Sequence, residues 1–131
     1  MKKLVILSVA TLFLAIAAQA SFGQTGVHTP EKGSPERKAI LDAVRKYRKA
    51  SSEIYSPTAF RVSKDWAFVA APDPSDPDVD TEAFEVILRK TGTKWKVVDE
   101  LKNVEGTDPA VEVKRVHRKF PSLPMAVLNI N

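Results

Sequence analysis

The sequence predicts an α+β domain, in which an N-terminal helix packs on a four-stranded antiparallel meander, followed by a second helix and an extended C-terminal tail. Two patterns carry this prediction: apolar residues recur at helical spacing before residue 50, and they alternate with polar residues between about 60 and 101. The chain has no cysteine, so no disulfide, thiol nucleophile or cysteine-ligated zinc is expected. The fold must therefore be stabilised by packing alone.

The first helix is predicted over about 35–50. Ser34 can accept hydrogen bonds from the first-turn N–H groups, and Pro35 suits the first helical position. The helix is expected to end before Ser51-Ser52. Its apolar stripe comprises Ile40, Leu41, Val44 and Tyr47.

Four strands are predicted between residue 60 and residue 101, joined by three kinds of connection. Lys64-Asp65 offers a tight reversal, the acidic and proline-rich stretch 72–78 excludes regular structure, and 91–94 forms a hairpin loop. The sheet face expected beneath the first helix comprises Phe60, Val62, Trp66, Phe68, Phe84, Val86, Leu88, Trp95 and Val97.

A second helix is predicted from about Pro109 to Phe120, with Thr107 or Asp108 as its N-cap. Its β-branched valines are mediocre helix formers, so part of the segment is also compatible with a strand. Pro121 and Pro124 then predict a stretched tail that carries several apolar residues.

The N-terminus has the pattern of a secretory signal peptide, with two lysines, an apolar run over 4–18 and the small-residue signal Ala18-Gln19-Ala20. The predicted organisation is a signal peptide over 1–20, a flexible N-terminal arm over 21–33 and a single α+β domain over 34–131. We expect an exported protein, periplasmic or extracellular in a bacterium, with no transmembrane segment after cleavage.

The stretch Gly33-Ser34-Pro35-Glu36-Arg37-Lys38-Ala39-Ile40-Leu41-Asp42-Ala43-Val44-Arg45, with Trp66-Ala67-Phe68 and Trp95-Lys96-Val97, resembles a group of small exported bacterial proteins of unknown function. Their pattern is a "GSPERKAILDALR" helix, a "WAF" strand and a "W-x-V" hairpin strand, and the resemblance covers about 33–125. It implies an exported helix-plus-sheet domain and supplies no catalytic residues. At the level of fold, the arrangement is similar to cystatin-like and nuclear-transport-factor-two-like architectures, which host many functions.

Few side chains are of the types that act in catalysis or ligand binding, and none forms a recognised catalytic, cofactor-binding or metal-binding set. The acidic loop 73–82 lacks the spacing of a helix-loop-helix calcium site and is interpreted as a solvated connector. His28 and His117 are the only histidines, and both are predicted at the surface, one in the arm and one on the second helix. No serine lies in a nucleophile motif.

The leading functional hypothesis is a non-enzymatic binding or interaction module for an unknown protein or small ligand, with no specific nucleic acid as partner. A rival is a small-molecule site, also compatible with an enzyme, between the first helix and the curved sheet. Its candidate polar groups are Asp42, Tyr47 and Arg61. A weaker alternative is electrostatic binding of the two lysine- and arginine-rich helices to an anionic polymer or membrane surface.

Overall fold

The computed structural model describes residues 26–75, 83–102 and 105–128. The predicted signal peptide, residues 21–25 of the predicted arm and most of the acidic loop lie outside this part of the chain. The described elements, in chain order, are α1 (Pro35–Arg48), β1 (Ala59–Ser63), β2 (Trp66–Ala71), β3 (Phe84–Thr91), β4 (Lys94–Glu100), α2 (Pro109–Lys119) and α3 (Met125–Leu128). The predicted α+β class is confirmed: a helix precedes four antiparallel strands in one sheet, and further helices follow.

Both long helices begin as their sequences predict. The Ser34 hydroxyl accepts a hydrogen bond from the Arg37 N–H at 3.2 Å, and the Asp108 carboxylate accepts one from Ala110 N–H at 2.9 Å. The α1 helix ends two residues earlier than predicted, because Lys49 adopts a left-handed conformation with φ 55°. Ala50 N–H then donates to the Arg45 carbonyl in a Schellman-type ending.

The sheet has the order β1-β2-β3-β4, so it is a plain meander with β1 and β4 at its edges. The Lys64-Asp65 turn is a two-residue loop closed by the pair Ser63 and Trp66. Its first residue, Lys64, has φ 54°, the conformation that a tight hairpin turn requires. A register shift between Ile87 and Leu88 accommodates one extra residue of β4.

One face of the sheet packs against α1. This core contains three residues of α1, Tyr55 from the following loop and residues of all four strands. The strand residues are Phe60, Val62, Ala67, Val69, Ala71, Phe84, Val86, Leu88 and Val97. The predicted stripe of α1 is thus buried at Ile40, Leu41 and Val44, whereas Tyr47 is 47% exposed.

The opposite face of the sheet packs against α2, α3 and the turn between them. Trp66, Phe68, Ala70 and Ile87 contribute from the sheet, and Val113, Val116, Leu123, Val127 and Leu128 contribute from the C-terminal segment. The prediction that Trp66 and Phe68 face α1 is therefore wrong. In the observed register Val62 pairs with Ala67 and Phe60 with Val69, and paired residues share a face. Trp66 and Phe68 must consequently point to the other side.

The C-terminal segment also differs from the predicted extended tail. Met125–Leu128 forms one helical turn, and Val127 and Leu128 are buried against the sheet. The Arg61 guanidinium donates to the Val127 carbonyl at 2.6 Å and to the Leu128 carbonyl at 3.0 Å. Helix carbonyls at a C-terminus need such donors. The turn is stabilised by a residue more than sixty positions earlier, so local sequence does not reveal it.

The described part of the predicted arm, 26–33, lies against β1. His28 N–H donates to the Val62 carbonyl at 2.9 Å and Val62 N–H donates back at 2.8 Å. The Thr29 hydroxyl donates to the Phe60 carbonyl at 2.9 Å. These bonds occupy the outer edge of β1, so this stretch is held to the domain where a flexible arm was predicted.

The two tryptophans give a test of the two-faced core. Trp66 is 4% exposed and its ring meets that of Phe120 at a centroid distance of 5.4 Å, whereas Trp95 is only partly buried. We expect Trp66→Ala to lower the free energy of unfolding by about 3–5 kcal/mol and Trp95→Ala by about 1–2 kcal/mol, measured by urea denaturation. Equal losses from the two variants would contradict the observed difference in burial between Trp66 and Trp95.

Candidate functional site

A groove between α1 and β4 combines apolar, aromatic and cationic side chains. It has a volume of about 400 Å³ and is lined by Ala43, Lys46 and Tyr47 of α1 and by Lys94, Trp95, Lys96 and Val97 of β4. The helix residues arrive there because Ala43 and Tyr47 are one turn apart on the side of α1 that borders β4. In β4, Trp95 and Val97 point to the α1 face because they alternate with the lysines.

The rim of the groove is positively charged. Lys46, Lys94 and Lys96 are all exposed, and none has an acidic partner among the described residues. Lys90 from β3 places its ammonium 5.9 Å from the Trp95 ring centroid. The Tyr47 hydroxyl donates a 3.0 Å hydrogen bond to the carboxylate of Glu100, which is outside the lining of the groove. The rim therefore favours an anionic ligand.

The three predicted pocket residues do not come together. Asp42 lies on the exposed side of α1, 2.6 Å from the Lys38 ammonium and 2.8 Å from the Arg45 guanidinium. The hydrogen bond from Lys38 lowers the pKa of Asp42. Arg61 lies on the sheet face that α2 and α3 cover, where burial lowers its pKa. Only Tyr47 borders the groove between α1 and the sheet, where its hydrogen bond to Glu100 raises its pKa.

A second cluster of charged residues ties the C-terminal end of α1 to two loops. The Arg48 guanidinium lies 3.2 Å from the Glu53 carboxylate and 2.9 Å from that of Asp73, and it stacks 4.3 Å from the Phe84 ring centroid. The Tyr55 hydroxyl donates to Glu53 at 2.6 Å. Asp73 begins the acidic loop, and its hydrogen bonds from Ser75, followed by the one from Arg48, lower its pKa to about 2. This cluster fixes the loops and leaves its carboxylates already paired.

Several cationic side chains of α1 and α2, which suggested binding to an anionic polymer, instead make contacts within the domain. In α1, Arg37 donates to the Pro30 carbonyl and Arg45 to that of Glu53. In α2, Arg115 bonds Asp99 and Glu112 at 3.0 Å each, and Lys119 lies 3.4 Å from Asp99. These ion pairs attach α2 to the end of β4 and reduce the charge that a partner would meet.

A shallower groove of about 430 Å³ lies between α2 and α3. Its lining is Val113, Lys114, His117, Arg118 and Met125. It is mostly apolar and more open than the groove between α1 and β4. His117 is exposed there and His28 is exposed on the described part of the arm, as the sequence predicts. The His28 ring lies 2.8 Å from the Glu36 carboxylate.

Within residues 26–75, 83–102 and 105–128, no group of three or more acidic or histidine side chains is arranged to hold a metal ion. Over the same residues no helix is long and apolar enough to cross a membrane.

Comparisons with protein-family models, with curated proteins and with solved structures find no match to this chain.

The Tyr55–Glu53 pair predicts a pH dependence of stability. Burial, followed by the hydrogen bond to Glu53, raises the pKa of Tyr55 to about 12 from its usual value of 10.0. As pH rises above 10, the unfolded chain loses this proton first, so the stabilisation is complete below pH 10 and is lost towards pH 12. We expect Tyr55→Phe to cost about 1–2 kcal/mol at pH 8 and progressively less by pH 11.5 in urea titrations.

Tyr47→Phe serves as the control for this prediction, because Tyr47 is the more exposed tyrosine and its loss should change stability less. A cost of Tyr55→Phe that stays constant from pH 8 to pH 11.5 would show that the Tyr55 proton is not held by the folded state.

Proposed function

We propose that the protein is an exported, non-enzymatic binding module that captures an anionic ligand in the groove between α1 and β4. The observation that carries the proposal is the combination of Tyr47 and Trp95 with a rim of unpaired lysines in one groove. Aromatic surface supplies contact area, and the lysines select for negative charge. The signal-peptide pattern of residues 1–20 supports the exported location.

The polar groups of the groove favour binding over chemistry. The ionisable side chains that line it are Tyr47 and three lysines, and the Tyr47 hydroxyl is hydrogen-bonded to the neighbouring Glu100. General acid–base catalysis needs a positioned pair with matched pKa values. The groove supplies attraction and contact area, which are the requirements of a binding module.

A small anionic molecule is an alternative occupant of the same groove. The volume of about 400 Å³ falls within the range of sites that enclose small ligands, roughly 300–1,000 Å³.

Electrostatic capture of an anionic polymer or membrane surface is a weaker alternative. It would use Lys114 and Arg118 of α2, which keep their charge free of acidic partners among the described residues.

Charge reversal at the groove tests the proposal. We expect the purified protein to bind hexaglutamate, with nuclear magnetic resonance shift changes confined to residues 43–47 and 94–97. The double variant Lys94→Glu, Lys96→Glu should weaken this binding at least tenfold, about 1.4 kcal/mol, and should instead acquire affinity for hexalysine. Raising the ionic strength should weaken the native complex, because exposed charges are screened.

The matched control is the double variant Lys32→Glu, Lys64→Glu, which makes the same change of net charge at two exposed lysines outside the groove. It should retain affinity for hexaglutamate within about threefold of the native protein, well below the tenfold criterion. Equal weakening by both double variants would show that only net charge matters and would contradict a specific groove.

A further inference from the structure

The free backbone of β4 adds a second recognition element to the groove. In an antiparallel sheet, pairs of opposed residues alternate between hydrogen-bonded and non-hydrogen-bonded. Lys94 and Thr91 close a two-residue loop and form a hydrogen-bonded pair, so the next pair, Trp95 and Lys90, is non-hydrogen-bonded. The observed bond from Lys90 N–H to the Asp65 carbonyl, 2.7 Å long and on the far side of β3, agrees with this alternation.

By the same alternation, Val97 and Leu88 form a non-hydrogen-bonded pair. The N–H and C=O groups of Trp95 and Val97 therefore point away from β3. These four groups face the open edge of the sheet, and none has a hydrogen-bond partner among the described residues. The other edge of the sheet differs, since β1 is paired with His28. The edge of β4 therefore presents unpaired donors and acceptors beside the groove.

We infer that the ligand of the groove is an extended acidic peptide that adds an antiparallel fifth strand to β4; this inference rests on the proposed function. Main-chain bonds to Trp95 and Val97 supply affinity, and the groove beneath α1 supplies side-chain selectivity. Peptide residues paired with Trp95 and Val97 point into the groove, whose walls there are Ala43 and Tyr47.

Charge complementarity selects the occupant. Lys94 and Lys96 flank Trp95 along the edge, and both are exposed. Lysines on an edge strand oppose pairing with neutral or basic strands, whereas peptide carboxylates opposite them form favourable cross-strand pairs. The expected ligand sequence thus alternates apolar residues, which enter the groove, with acidic residues, which lie opposite the two lysines.

The probe that follows from this register is the acetylated and amidated pentapeptide Glu-Val-Glu-Val-Glu. Its two valines pair with Trp95 and Val97, so their N–H groups donate to the carbonyls of β4, while the N–H groups of the glutamates point away. We expect N-methylation of both valines to weaken binding to the native protein at least tenfold. N-methylation of the last two glutamates is the matched control and should change affinity less than threefold.

The outcomes separate this inference from the proposed function. If both methylated peptides bind like the parent while shift changes stay at residues 43–47 and 94–97, the groove binds anions without strand addition and the inference is overturned. Equal loss from both methylated peptides, or loss from the glutamate-methylated one alone, also overturns it. If neither the pentapeptide nor hexaglutamate binds in the groove, the proposed function falls with it.

Discussion

Strand β2 is buried on both sides, and this burial dictates the layered architecture of the domain. All six residues of Trp66–Ala71 are buried, so an apolar layer is needed above and below the sheet. The α1 helix supplies one layer, and α2 with α3 supplies the other. A chain without cysteine gains its stability from these two buried surfaces. Neither helix layer is dispensable in such an arrangement.

The contacts of several charged side chains follow from this layered packing. Arginines at the margins of each layer stack on aromatic rings and bond carboxylates, as Arg48 does with Phe84 and Asp73, and as Arg115 does with Asp99. They fix the connections between layers. Among the described residues, the lysines of β4 form no such ion pair. Lys94 and Lys96 lie in the same groove as Tyr47 and Trp95, and this coincidence of charge and aromatic surface makes the groove the candidate site.

Part of the tertiary arrangement can be derived from the sequence by strand alternation alone. The two-residue turn at Lys64-Asp65 opposes Val62 and Ala67, which by itself places Trp66 on the face opposite Phe60 and Val62. The same alternation places Arg61 away from α1, so a pocket that combines it with Asp42 conflicts with strand geometry. Periodicity could not decide between the faces of β2, because its residues are apolar on both.

The two long helices, the strands and the hairpin turns follow from the local sequence, because caps, prolines and periodic apolar residues act on neighbours within a few positions. Ser34 with Pro35 and Asp108 with Pro109 began helices as expected. Tertiary packing sets which face of the sheet α1 covers, how Arg61 holds the turn at Val127 and Leu128, and that Tyr47 and Trp95 line one groove beside β4. These features join residues that are distant in the sequence, and their geometry depends on how the whole sheet twists and pairs.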